Sequence, residues 1–202
     1  MKTIGSAIIM LVLTPSLFAD NGKELKLTSP DGTHEIAFYQ KQVSPAVNEL
    51  CYRVDYKSQP VVNESRAGLE LDNRIWEMAL GARNLKQPAC WMDNLEVDSV
   101  TYQPETDITW QPLYGERSSV RDHYQAGTLY LSKKDNSGYR FNIEVRAYNE
   151  GVAFRYFFPE HPKAIFHKVV GDLTEYALPA GTKAWTEQWA QAFFEYLNID
   201  DI

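Results

Sequence analysis

Apolar and polar residues alternate with a period of two along most of this chain, and no apolar stripe with the 3.6-residue period of a helix recurs. Such alternation marks strands with one buried face. Glu24–Ser29 alternates, Asp31-Gly32 supplies a turn, and His34–Gln40 follows as its hairpin partner. Glu49–Tyr56 reads as a strand, Lys57-Ser58 as a turn, Pro60-Val61-Val62 as a short edge piece and Gly68–Leu71 as a further strand. Residues 72–101 are weakly patterned, with one short helix predicted near Arg74–Leu80, and Ile108–Tyr114 is aromatic but broken by Pro112. Ala126–Lys133 and Tyr139–Ala147 flank a turn at Lys134–Gly138. A second turn, Tyr148-Asn149-Glu150-Gly151, leads into Val152–Phe158, so residues 126–158 form a meander. Phe166–Thr174 and Trp185–Trp189 are the last predicted strands.

The run after Gly151 is unusual. Val152, Phe154, Tyr156 and Phe158 alternate with Ala153, Arg155 and Phe157, so both faces are apolar apart from Arg155. That pattern predicts a central strand covered on both sides, by a second sheet or by another domain. A cation in such a strand is costly unless acceptors meet its five donors. Arg155 is therefore expected to pair with an acid on a neighbouring strand or with the covering domain. The whole pattern predicts a mainly β protein of two large packed antiparallel sheets.

Composition adds bounds. The 202 residues are 44% hydrophobic and 23% charged, enough for one sizeable core. Aromatics reach 13%, which suits sheet packing and also sugar binding. A net charge of −7 with no basic stripe argues against nucleic acid as a partner. Lys2, the apolar run Ile8–Leu13 and the small residue Ala19 read as a secretory signal peptide over residues 1–19, leaving 20–202 as one exported domain. No other segment reads as a membrane span. Cys51 and Cys90 are either two separate thiols or a bridge, and no zinc spacing is present.

Candidate chemistry is sparse. Glu116 with Arg117 and Arg121 nearby has the look of a catalytic acid, or of an ion pair in a loop. His34, His123, His161 and His167 are dispersed and lack the partners of a nucleophilic triad. Trp185 and Trp189 could stack on sugar rings or pack in an interface. Glu195, among Phe193, Phe194 and Tyr196, either faces solvent or meets a cation. Asp200 and Asp201 read as a metal cluster with Glu195, or as a solvated chain end.

The series "LTSPDGTHEIAF", "ELCYRVDYKSQPVV", "SRAGLEL", "WQPLYGERSSVRDHYQAGTLYL", "FNIEVRAYNEGVAFRYFFPE" and "TEYALPAGTKAW" resembles the amino-terminal domain of glycoside hydrolase family 97. These are exported α-glucosidases and α-galactosidases of Gram-negative bacteria. The resemblance implies a two-sheet antiparallel β-super-sandwich, similar to the mutarotase-like sandwiches, packed on a (β/α)8 barrel that carries the catalytic carboxylates. No strand–helix alternation for such a barrel exists in these residues, so no catalytic residue is assigned and the sandwich is expected to be incomplete at its carboxy end. The resemblance further implies a periplasmic location, an α-linked oligosaccharide substrate (α-glucoside favoured over α-galactoside) and one calcium ligand, Glu195. A stand-alone carbohydrate-binding sandwich is the alternative.

Overall fold

In the computed structural model the residues described are 24–45, 47–72, 78, 89–90, 95–133, 139–160, 167–187, 189–191 and 195–201. The predicted signal segment 1–19 and the turn at 134–138 lie outside them. So does the predicted helix at 74–80 except for Met78, which is helical.

The first sheet runs in chain order: β1 (Glu24–Thr28), β2 (His34–Ser44), β3 (Val47–Tyr56) and β4 (Gln59–Arg66), all antiparallel. The second has the order β10-β9-β8-β7, from β7 (Leu95–Trp110), β8 (Val120–Lys133), β9 (Arg140–Tyr148) and β10 (Gly151–Phe157). A three-stranded sheet is ordered β11-β5-β6, from β5 (Leu69–Leu71), β6 (Ala89–Cys90) and β11 (Val169–Asp172). The pair β12 (Lys183–Thr186) and β13 (Glu195–Asn198) makes the fourth. The turn residues of the β1–β2 hairpin tie themselves down. Ser29 and Thr33 hydroxyls donate to the Asp31 carboxylate at 2.7 and 2.8 Å, and these bonds pull its pKa down to about 2.

The first two sheets pack face to face, β1 over β8 and β9 and β2 over β9 and β10. Alternation places Leu25, Ile36, Phe38, Leu50 and Tyr52 opposite Leu129, Leu131, Phe141, Ile143 and Val145, all nearly inaccessible to water. Phe38 stacks on Tyr52 with centroids 5.3 Å apart and meets the edge of Phe154 at 5.1 Å. The approach of β1 to β8 is so close that a Cβ on Gly127 would lie 2.6 Å from Leu25 Cδ1. Cys51 is a buried free thiol, and burial raises its pKa.

Two sequence expectations need correction. The weakly patterned stretch 72–101 and the broken run at 108–114 hide β7, a strand of 16 residues. Both of its faces are largely exposed, so it has no alternation to show. It is held by the β8 ladder, and its two register shifts (97/99 and 103/106) absorb the Pro104 that should have broken it. Secondly, β10 is not a covered central strand. It is the edge of its sheet, with Val152, Phe154 and Tyr156 turned to the core and Ala153, Arg155 and Phe157 exposed.

Candidate functional site

Two places concentrate side chains that chemistry could use. The first is the β12–β13 pair. Its register sets Trp185 opposite Tyr196 and Thr186 opposite Glu195. The two rings stack at 4.9 Å, and the Lys183 ammonium lies 5.4 Å from the Tyr196 centroid. Trp185 is 71% exposed and Trp189 76%, so neither is a core residue here. Strand alternation turns Glu195 to the face opposite the stacked pair. Its exposed carboxylate meets no side-chain partner among the described residues. Asp201 follows in a short 3-10 turn and accepts a bond from Asn198 Nδ2 at 3.0 Å.

Among the described residues no three His, Cys, Asp or Glu side chains converge on one point. Among the described residues, Glu195 thus offers a carboxylate with no side-chain partner. That fits a residue contributing to a calcium shell of about six to eight oxygens whose other members come from elsewhere.

The second place is a cleft of about 1110 Å³ between β10 and the inner face of β3 and β4. Tyr52, Val54, Val62, Phe154, Tyr156 and Tyr176 are among its walls. Two of its tyrosine hydroxyls are already engaged. The Tyr52 hydroxyl donates to the Glu175 carbonyl at 2.7 Å. The Tyr156 hydroxyl accepts from Gly68 N–H at 3.1 Å and lies 2.5 Å from Thr174 Oγ1. Burial pushes the Tyr52 phenol well above its usual range and that of Tyr156 to about 12.

The other predicted residues stay apart. Arg121 does not pair with Glu116; it forks onto Asp107 across the β7–β8 ladder, with two bonds of 2.7 Å, and lowers the Asp107 pKa. His123 Nε2 lies 2.6 Å from Glu105 while its Nδ1 is buried without a partner. His34 stacks near Tyr56, His167 against Phe158, and His161 lies outside the described residues. Arg155 does find an acid on the neighbouring strand: its register partner Glu144 receives its bonds at 2.6 Å. The pair is solvated rather than buried, since Arg155 is 69% exposed. Sequence reasoning singled out Trp185 but missed its partner Tyr196; strand length and hairpin register, absent from a one-dimensional pattern, bring them together.

The profile of the glycosyl-hydrolase 97 N-terminal family matches residues 27–199. The chain belongs to this family. Among its relatives is a retaining alpha-galactosidase of Bacteroides thetaiotaomicron, 27% identical over 184 residues, or 91% of this chain and 23% of the relative. A glycoside hydrolase family 97 enzyme from Pseudoalteromonas sp. strain K8, solved in complex with acarbose, matches with a TM-score of 0.70 at 23% identity. That likeness covers 88% of this chain and 25% of the other. A beta-arabinopyranosidase matches with a TM-score of 0.63 at 18% identity, over 80% of this chain and 22% of that one. These solved structures establish the shared sandwich fold. The chain spans about a quarter of the length of the relatives it matches.

Proposed function

We propose that this glycosyl-hydrolase 97 N-terminal domain is the non-catalytic sandwich of an exported α-glycosidase that acts on α-linked oligosaccharides. It packs on a (β/α)8 barrel of the same parent protein and lends that barrel one calcium ligand, Glu195. The observation that carries the reading is the family match over 27–199 in a chain about a quarter as long as its relatives. In this reading the acid and base carboxylates belong to the barrel, as the family resemblance implies. The signal-peptide pattern of residues 1–19 supports a periplasmic parent. Calcium, when bound, would supply positive charge beside the reacting sugar. Glu195 would hold it through a carboxylate that is exposed and has no side-chain partner among the described residues. The substrate is read as α-glucoside first; the alpha-galactosidase relative makes α-galactoside the second arm of the test.

The test compares the isolated chain with the parent-length protein on aryl α-glucoside and aryl α-galactoside. The chain alone is expected to be inactive and the parent active; turnover by the purified chain would overturn the reading. Calorimetric calcium titration of the parent and its Glu195→Gln variant tests the ligand, with weaker binding expected for the variant. Equal binding would remove Glu195 from the shell.

A second reading, a sandwich that holds carbohydrate by itself, draws on the exposed Trp185–Tyr196 stack. Binding of maltooligosaccharide to the isolated chain, lost in Trp185→Ala, would favour it over the first.

A further inference from the structure

The outer face of the second sheet, turned away from the core, carries a basin. Residues paired across antiparallel strands share a face, so the register writes that face out in rows. One row runs Gln103, Ala126, Arg146 and Ala153 across β7, β8, β9 and β10; the next runs Thr101, Thr128, Glu144 and Arg155. Small side chains at Ala126, Thr128 and Ala153 leave the middle of these rows low. The rows on either side bring rings to the two ends, Tyr124 and Tyr148 at one and Tyr130 and Phe157 at the other. Between them lies a depression of about 300 Å³, at the low end of small-molecule pockets and suited to one ring rather than a long chain. Its depth shows in Ala126 and Thr128, each only 4% exposed although neither faces the core.

The polar groups here are the ones that local pairing leaves over. Thr128 lines the depression, and its hydroxyl meets no partner among the described residues. So enclosed a hydroxyl is costly without one. The Gln103 amide, also in the lining, is equally unmet among the described residues. Glu144 receives both Arg155 bonds on Oε2, which leaves Oε1 open. Arg146 Nη1 donates to the Tyr148 hydroxyl at 3.2 Å, and its guanidinium lies 4.3 Å from the Tyr124 centroid, which leaves further donors for a ligand. The set therefore mixes donors and acceptors. An anion would be repelled by the open Glu144 oxygen, and a cation by Arg146 and Arg155. A neutral polyhydroxyl ring satisfies both kinds of group, because each of its hydroxyls donates and accepts.

We propose that this basin is a sugar site, holding a single neutral pyranose unit through Gln103, Thr128, Glu144 and Arg146. It lies on a different sheet from the Trp185–Tyr196 stack and needs no barrel, so it stands or falls apart from both readings above.

Titration of the 202-residue chain with methyl α-D-glucopyranoside and methyl α-D-galactopyranoside, read from backbone amide NMR shifts, tests it. At least one of the two is expected to move amides of residues 126–128, 144–146 and 153–155 together and saturably. Thr128→Val keeps the shape and removes the hydroxyl; Gln103→Ala trims an exposed side chain that no core residue rests on. Each is expected to weaken binding by about threefold or more, and Gln103→Ala to keep the urea midpoint near wild type. Trp185→Ala is expected to leave the affinity unchanged. No saturable shift with either glycoside, or wild-type affinity in Gln103→Ala, would overturn the site. Shifts confined to residues 183–198 would overturn it in favour of the aromatic stack. Tighter binding of inorganic phosphate at the same amides would make it an anion site instead. Each of these results leaves the glycosidase reading standing, and an inactive parent-length protein would leave the sugar site standing.

Discussion

The tightest sheet-to-sheet approach makes the sharpest prediction. Gly127 sits on β8 beneath Leu25 of β1, which is wholly buried. A methyl group at Gly127 would lie 2.6 Å from Leu25 Cδ1 and 3.2 Å from the Thr101 carbonyl oxygen. Leu25 is fixed among core neighbours, so Gly127→Ala forces the sheets apart or Leu25 out of its rotamer, at about 1–3 kcal/mol. Removing a flexible glycine from a strand returns about 0.5–1 kcal/mol, which leaves a net loss of roughly 0–2.5 kcal/mol. Leu25→Ala alone opens a cavity and costs about 2–5 kcal/mol. In the double variant the new methyl occupies space that Leu25 vacated. The two losses then fail to add, with a coupling of roughly 1–3 kcal/mol in favour of the double variant. Urea unfolding followed by tryptophan fluorescence gives all four corners of the cycle, provided the slopes agree. Additive losses in the cycle would refute the close packing of β1 on β8.

Three further outcomes are expected. Phe154→Ala removes a half-buried ring that touches Phe38, Tyr52 and Tyr156, and should cost roughly 2–3 kcal/mol in urea unfolding; under about 1 kcal/mol, the ring does not anchor β10. Arg155→Ala breaks a solvated cross-strand pair and should cost less than about 1 kcal/mol, so a loss above about 2 kcal/mol would mean that the pair is buried. Asp31 titrates near 2 in the folded chain, below its ordinary value. Its stabilisation is therefore present above the unfolded-state pKa near 4 and lost as pH falls through 2. Carboxyl NMR should place its midpoint near 2, and a midpoint near 4 would dissolve the Ser29–Asp31–Thr33 turn network.

What the sequence revealed follows burial. The strands at Glu24–Ser29, His34–Gln40, Glu49–Tyr56 and Tyr139–Ala147 were legible because one face of each is core, and a buried face writes alternation into the chain. β7 was illegible because neither face is buried over most of its length, leaving only pairing with β8 to define it. The dyad of Arg155 and Glu144 was legible as chemistry but not as geometry. The need for an acid could be read from one residue, whereas an edge position depends on which strand comes next in space. The Glu195 assignment arose from family resemblance. The structure adds the solvated carboxylate and the turn of Trp185 and Tyr196 to the other face.

Burial also divides the molecule along its length. Every buried core residue falls between Leu25 and Ala147, and among the described residues after Ala147 none is buried. Yet that last part carries Phe157, Tyr176, Trp185, Trp189 and Tyr196, all at least 40% exposed. Large rings gain most from leaving water, about 25 cal/mol per Å² of apolar area, and a sequence that places five of them outside its own core forgoes that gain. Scattered surface apolar residues are ordinary, but here two of the rings are stacked on one hairpin and two others flank β10 and its cleft. β10 adds half-buried rings to its backbone pairing, whereas β11, β12 and β13 have no buried side chain. The amino-terminal part has the economy of a finished core, while the carboxy-terminal part has that of an interface. This asymmetry agrees with the proposed packing of the sandwich on the rest of a larger enzyme, with the face around Glu195 as one such contact.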